Sequence, residues 1–182
     1  MPESDNAGIK GADLARELAA SSYAQLLRYA LGIAGSEALA RDAVQESFLR
    51  LMNESLKGRV EHPRAWLFRV CRNRILDELK REGRHFPMDE SPGMGFMRSE
   101  DPQPSQSAEK SDAIERAMLM AGRLRGRERE AVRLKFQCGF SYAQIAQIMS
   151  LSESNVGVIL HGALRSLRGM FFDESKVEPK HS

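Results

Sequence analysis

The residues in this chain best equipped for chemistry are cations and an amide, not a nucleophile. Across residues 64–84, RAWLFRVCRNRILDELKREGR, the side chains Arg69, Asn73, Arg74, Lys80, Arg81 and Arg84 fall mostly on one arc of a helix wound at about 100° per residue. Leu67, Phe68, Cys71, Ile75, Leu76 and Leu79 fall on the opposite arc. A row of guanidinium and ammonium groups neutralises phosphates and releases their counterions. An asparagine inside the row adds a donor and an acceptor that match a base edge. Asp77 and Glu78 dilute the charge only in part. Trp66 and Val70 lie on the basic side, and two readings of Trp66 stay open. It is either core in a helix packed on two neighbours, or an aromatic that stacks on an unpaired base. Taken alone, the stripe also fits a solvated helix face.

Other kinds of chemistry are poorly served. Cys71 and Cys138 are far apart inside helical patterns, and the four histidines are scattered. No Cys/His group has metal-ligand spacing. We expect no catalytic residue, no metal and no cofactor. Both cysteines read as small buried apolar residues, which suits a reducing cytoplasm. No secretory segment opens the chain, and no apolar run approaches the ~18–20 residues of a membrane span. The expected location is therefore the cytoplasm. Net charge is only +2, so the protein is no polycation; what matters is that its basic residues cluster at 64–84 and 123–135.

The elements that must position these groups are all helical. Apolar residues make up 42% of the chain and recur at three- and four-residue steps, with no alternating β-branched runs. Residues 1–12 read as disordered. Asp13 is the expected cap of a first helix, with Gly32 and Gly35 marking its end. Ser36 can cap a second, burying Ala40, Val44, Phe48, Leu51 and Met52. Its far side carries Asp42, Gln45, Glu46, Leu49 and Asn53. Exposed leucines (Leu39 and Leu49) among carboxylates read better as a docking surface for a basic protein than as a merely solvated face. The polar loop 53–63, with Lys57, Arg59 and His62, leads into the basic helix.

Periodicity stops between residues 85 and 108, where prolines, glycines and acids point to a flexible linker. A second helical unit spans 109–172, followed by a polar tail at 173–182. Within it, Ser141 and Gln144 form a capping box, and a helix of about two turns follows. Ser152 then caps a longer helix that turns Val156, Leu160, Ala163, Leu167 and Phe171 inward. A short helix, a tight turn and a longer amphipathic helix make a helix-turn-helix. The second helix should enter a major groove. Ser154, Asn155, Val158, His161, Arg165 and Arg168 face outward there, with the caps Ser141 and Ser152 nearby.

Three motifs occur in order: DAVQESFLR at 42–50, AWLFRVCRN at 65–73 with Asp77, Lys80 and Arg81, and SYAQIA at 141–146 with Leu160 and His161. Together the chain resembles a bacterial RNA polymerase sigma factor of the sigma-70 family, in its small extracytoplasmic-function (ECF) group. The resemblance implies an all-α protein of two small helical domains. The first, 13–84, would be the sigma region two bundle; the second, 109–172, the sigma region four helix-turn-helix. It implies that Asp42, Gln45, Glu46, Leu49 and Asn53 dock on core RNA polymerase, at the β′ clamp, with β as a further contact. Lys57, Arg59, Trp66, Arg69, Arg72, Asn73, Lys80 and Arg81 would melt and read the −10 element, capturing a flipped base. The recognition helix would read the −35 element. Promoter DNA is the second partner, an anti-sigma factor is a third that is common in the group, and no membrane is involved. Other readings are a sigma-like adaptor or anti-sigma-type protein, and a helix-turn-helix repressor.

Two departures from the family pattern carry expectations. Only Asp42 remains of the acids that usually precede the Val-Gln-Glu motif, and Arg41 intrudes. Attraction to a basic clamp should be weakened, and a phosphate on Ser36 or Ser47 could restore it. The recognition helix holds Gly157, Val158, Ile159, Gly162 and Leu164 where relatives usually carry lysines and arginines. Fewer phosphate contacts mean weaker binding and a flatter salt dependence, and each glycine costs about 1 kcal/mol of helix propensity.

Overall fold

The structure is a computed structural model and describes residues 3–55, 60–83 and 120–174. Among the described residues every regular element is helical. Helix α1 runs Glu3–Ala34, α2 runs Glu37–Ser55 and α3 runs Pro63–Arg81. Then come α4 (Gly126–Val132), a five-residue π-helical turn (Arg133–Gln137), α5 (Tyr142–Met149) and α6 (Glu153–Glu174). None of these helices is long and apolar enough to cross a membrane.

The first three helices make one module. Pro63 opens α3, where its missing N–H costs nothing. Lys80 and Arg81 sit in the last turn of α3, favourable against the helix dipole. The apolar arc read from the sequence is its buried side: Leu67, Phe68, Cys71, Ile75 and Leu79 pack with Leu26, Ala30, Val44 and Leu51. α1 begins ten residues before Asp13, so Asp13 is not its cap; the carboxylate instead pairs with Arg16 at 2.7 Å. α1 ends where Gly35 takes φ +63°, a conformation that favours glycine. Gly32 lies inside the helix for another reason. A Cβ built there would sit 1.4 Å from an Arg133 guanidinium nitrogen.

The second module is α4 to α6. Ser141 Oγ accepts from Gln144 N at 3.2 Å while Gln144 Oε1 accepts from Ser141 N at 2.9 Å, so the capping box forms at α5. Ser150 takes φ 56° to end α5, and Ser152 Oγ caps α6 through Asn155 N at 3.2 Å. Gly139, at φ +69°, turns the chain before α5. Leu134, Ile145, Ile148, Val156, Leu160 and Ala163 are buried.

Several expectations change here. Met52 and Phe171, assigned to buried faces, are exposed, and Leu39, assigned to the surface, packs partly against the core. A wheel drawn for one helix cannot show which neighbours reach it. The linker, the tail, Lys57, Arg59 and Arg84 lie outside the described residues.

The two modules share one apolar core. Phe68 of α3 meets Phe140, edge to face, at 4.9 Å between ring centres, and Tyr29 at 5.2 Å. Beside these rings Arg72 Nε donates to Glu130 Oε1 at 2.7 Å, and the Tyr29 hydroxyl donates to the same oxygen at 2.7 Å.

Candidate nucleic-acid interface

The α3 stripe is less free than its sequence implies. Arg72 is 8% exposed and bonded to Glu130 of the second module, so it presents no charge to solvent here. Burial pulls its pKa down, but the Glu130 carboxylate outweighs that and the net direction is up. Burial first, then the Glu130 charge, pushes the Tyr29 hydroxyl well above its usual value. Arg74, counted on the basic arc, bridges α3 to α2: it bonds Glu46 at 2.5 Å, Glu78 at 2.5 Å and Asp42 at 3.2 Å. Those bonds, with Glu78 and then Glu46 foremost, raise its pKa. Arg81 pairs with Glu78, whose pKa falls to about 2 through Arg81 and then Arg74. Asn73 and Lys80 remain exposed; Arg69 is half-buried. Trp66 is half-buried and packed against the core.

The acidic face of α2 keeps its expected geometry and loses part of its charge. Asp42, Gln45, Leu49 and Asn53 are exposed, with Leu49 at 54%. Glu46 is held by Arg74 and Arg50, and the Arg74 bond leads in lowering its pKa. Arg41 binds Glu37 at 2.7 Å instead of crowding Asp42. Ser47 is fully buried, its hydroxyl donating to the Ala43 carbonyl at 2.6 Å. It is therefore no target for a phosphate. The Ser36 hydroxyl accepts a long 3.5 Å contact from Leu39 N.

On α6 the outward set stands as read. Ser154, Asn155, Val158, His161, Arg165 and Arg168 are all exposed, with Val158 at 71%, and Ser141 and Ser152 are exposed beside them. The glycines have local explanations: a Cβ on Gly162 would lie 3.2 Å from Glu128, while Gly157 has room beside Tyr142 at 3.9 Å. Sequence reasoning missed Glu130, Tyr29 and Gly32, whose roles depend on the second module lying against the first. Cys71 and Cys138 are free and buried, and burial lifts their thiols to about 12 and about 11. Among the described residues no group of His, Cys, Asp and Glu could hold a metal.

With this geometry in place, comparison with known proteins is direct. The family described as sigma-70 region 2 matches residues 18–85, and sigma-70 region 4 matches residues 114–167. The ECF RNA polymerase sigma factor SigL of Mycobacterium tuberculosis is 34% identical over 172 residues, covering 92% of this chain and 94% of that protein. The ECF RNA polymerase sigma factor SigM of Bacillus subtilis is 23% identical over 144 residues, covering 79% and 86%. In fold, the chain is similar to CnrH, solved in complex with the cytosolic domain of CnrY, with a TM-score of 0.56 at 21% identity, covering 93% and 95%. The chain belongs to the ECF group of the sigma-70 family of RNA polymerase sigma factors. It is a promoter-recognition factor that works with RNA polymerase on promoter DNA, and it is not an enzyme.

Proposed function

We propose that the two modules divide promoter recognition between them, in the bacterial cytoplasm. Residues 13–84 act as region two. Asp42, Gln45, Glu46, Leu49 and Asn53 dock on the β′ clamp of the polymerase, with Leu49 supplying the apolar contact. Asn73 and Lys80, joined by Trp66, Arg69, Arg72, Arg81, Lys57 and Arg59, open and read the −10 element. Residues 109–172 act as region four, and the first turns of α6 read the −35 element. An anti-sigma factor is a further partner class that the family resemblance supplies.

The observation that carries this reading is the capped helix-turn-helix with six outward side chains along one face of α6. A recognition helix places its N-terminal residues nearest the bases, and Ser154, Asn155 and Val158 occupy that end. Val158 is suited to a thymine methyl, because an apolar side chain in the major groove distinguishes that base by contact. In vitro transcription with core polymerase tests the whole reading. Footprinting of Arg165→Ala and Val158→Lys then tests the α6 assignment. Arg165→Ala should flatten the salt dependence of upstream protection by about one unit of slope, and Val158→Lys should steepen it by about one. Unchanged protection in both variants overturns DNA reading by α6. It would favour a protein-binding role for the same face, where Val158 and Leu164 are 71% and 46% exposed.

A further inference from the structure

The charge cluster between α2 and α3 stands on the face assigned to polymerase docking. Arg74 reaches across from α3: its Nε donates to Glu46 Oε2 at 2.5 Å, and a terminal nitrogen donates to Asp42 Oδ2 at 3.2 Å. The other terminal nitrogen donates to Glu78 Oε2 at 2.5 Å, which fixes the guanidinium from its own helix. Arg50, one turn along α2, holds the second oxygen of Glu46. Both Glu46 oxygens therefore already face a guanidinium. The Arg74 side chain is 23% exposed, against 62% for Asp42 and 32% for Glu46. Arg41, the cation expected from the sequence to crowd this face, is engaged by Glu37 instead. The cation that does crowd it lies 28 residues beyond Glu46 and 32 beyond Asp42.

The bridge does little to hold the helices together. Val44 and Leu51 of α2 and Leu67, Cys71 and Ile75 of α3 are fully buried in one core. Ion pairs that water reaches contribute little beside such packing. What the bridge changes is the field. Arg50, Arg74 and Arg81 face Asp42, Glu46 and Glu78, so the cluster is close to neutral. Gln45, Leu49 and Asn53 beside it add no charge. A face balanced in this way draws a basic surface weakly until a carboxylate changes partner.

We propose that Arg74 is a positioning residue for the docking step: it masks Asp42 and Glu46, and the polymerase must draw them away from its guanidinium to bind. The proposal rests on the docking assignment made above and adds the control of that same surface. Arg74 belongs to the same chain, so it competes at a fixed distance whatever the protein concentration. Glu78 keeps the guanidinium paired when the other two carboxylates leave, so their release strands no buried charge. Salt weakens the internal bridge and the external one together, so docking should depend on salt less steeply than two bare carboxylates would make it.

The test measures binding of the full chain to core RNA polymerase from low to high salt. Arg74→Gln should bind about fivefold more tightly at low salt, the worth of one charge pair about 4 Å apart in water. The gain should come chiefly through a faster on-rate and shrink as salt rises. Arg74→Lys keeps a charge but loses the fork that spans three carboxylates, and should fall between parent and Arg74→Gln. Asp42→Asn with Glu46→Gln should weaken binding. Adding Arg74→Gln to that pair should then change nothing, because no carboxylate remains to unmask. A merely structural Arg74 would instead lower the melting temperature and weaken docking in both backgrounds; circular dichroism and thermal melts follow the fold of each variant. Affinity that is unchanged or lower in Arg74→Gln, while Asp42→Asn with Glu46→Gln weakens binding, overturns the mask and leaves the docking face standing. A gain that persists once both carboxylates are gone also overturns the mask. Equal affinity of the parent and Asp42→Asn with Glu46→Gln overturns the mask and the docking assignment together.

Discussion

On α3, Arg72 is buried against Glu130 and Arg74 is spread over Glu46, Glu78 and Asp42. On α6, Arg165 and Arg168 stand in solvent, and neither makes a side-chain ion pair or hydrogen bond among the described residues. Both helices were read from sequence as faces for nucleic acid. The first spends much of its charge on internal structure and keeps Asn73 and Lys80 free; the second has few charges, and they are available. A tally of basic residues along a segment therefore measures footprint poorly. The useful quantity is charge that no carboxylate within about 4 Å already holds.

The contrast can be broken most forcefully at the core beneath α3. Phe68→Ala removes a fully buried ring that touches Tyr29 and Phe140. A truncation of this kind costs about 3–5 kcal/mol. It should lower the denaturation midpoint of the whole chain, whereas Arg168→Ala should stay within about 0.5 kcal/mol of the parent. A smaller effect sharpens the second half of the comparison. Ser141→Ala deletes one half of the capping box and should cost about 1 kcal/mol. Because α5 supports α6, it should also weaken upstream DNA protection while leaving α3 and its contacts unaltered. Denaturant titration followed by footprinting checks both effects.

What could be read in the sequence was what depends on near neighbours. The apolar arc of α3, the capping box at Ser141 and Gln144, and the cap at Ser152 all follow from residues within a few positions of each other. The outward set on α6 followed for the same reason. What could not be read was what the second module does to the first. Arg72 belongs to a surface stripe until Glu130, 58 residues later, is placed beside it. Gly32 looks like a helix terminator until Arg133 is seen to need its space. Met52 and Phe171 sat at the helical spacing of a buried face, yet each is 38% exposed. Periodicity reports which side of a helix could be buried, and only tertiary packing decides how far along the helix that burial extends.

The smallest effect falls on the charge cluster that holds α3 to α2. Glu78 has a folded pKa of about 2 against an ordinary 4.5, because Arg81 and then Arg74 favour its ionised form. A carboxyl whose folded pKa is depressed stabilises the fold above its unfolded pKa and loses that contribution as pH falls through the folded one. The window is therefore about pH 4.5 down to about 2, and stability should fall with acid across it. Glu46, shifted the same way by Arg74 and lowered further by Arg50, adds to the slope. These groups are partly solvated, so salt should blunt the effect. Glu78→Gln should flatten the dependence of melting temperature on pH between about 4.5 and 2. Raising ionic strength should do the same to the parent, and much less to the variant. Lys80→Gln, two residues from Glu78 but in no ion pair of the cluster, should leave the slope as it was. An acid slope identical in the parent and Glu78→Gln would mean that Arg74 is held by Asp42 and Glu46 alone, and that α3 presents more free carboxylate to its surroundings than its geometry implies.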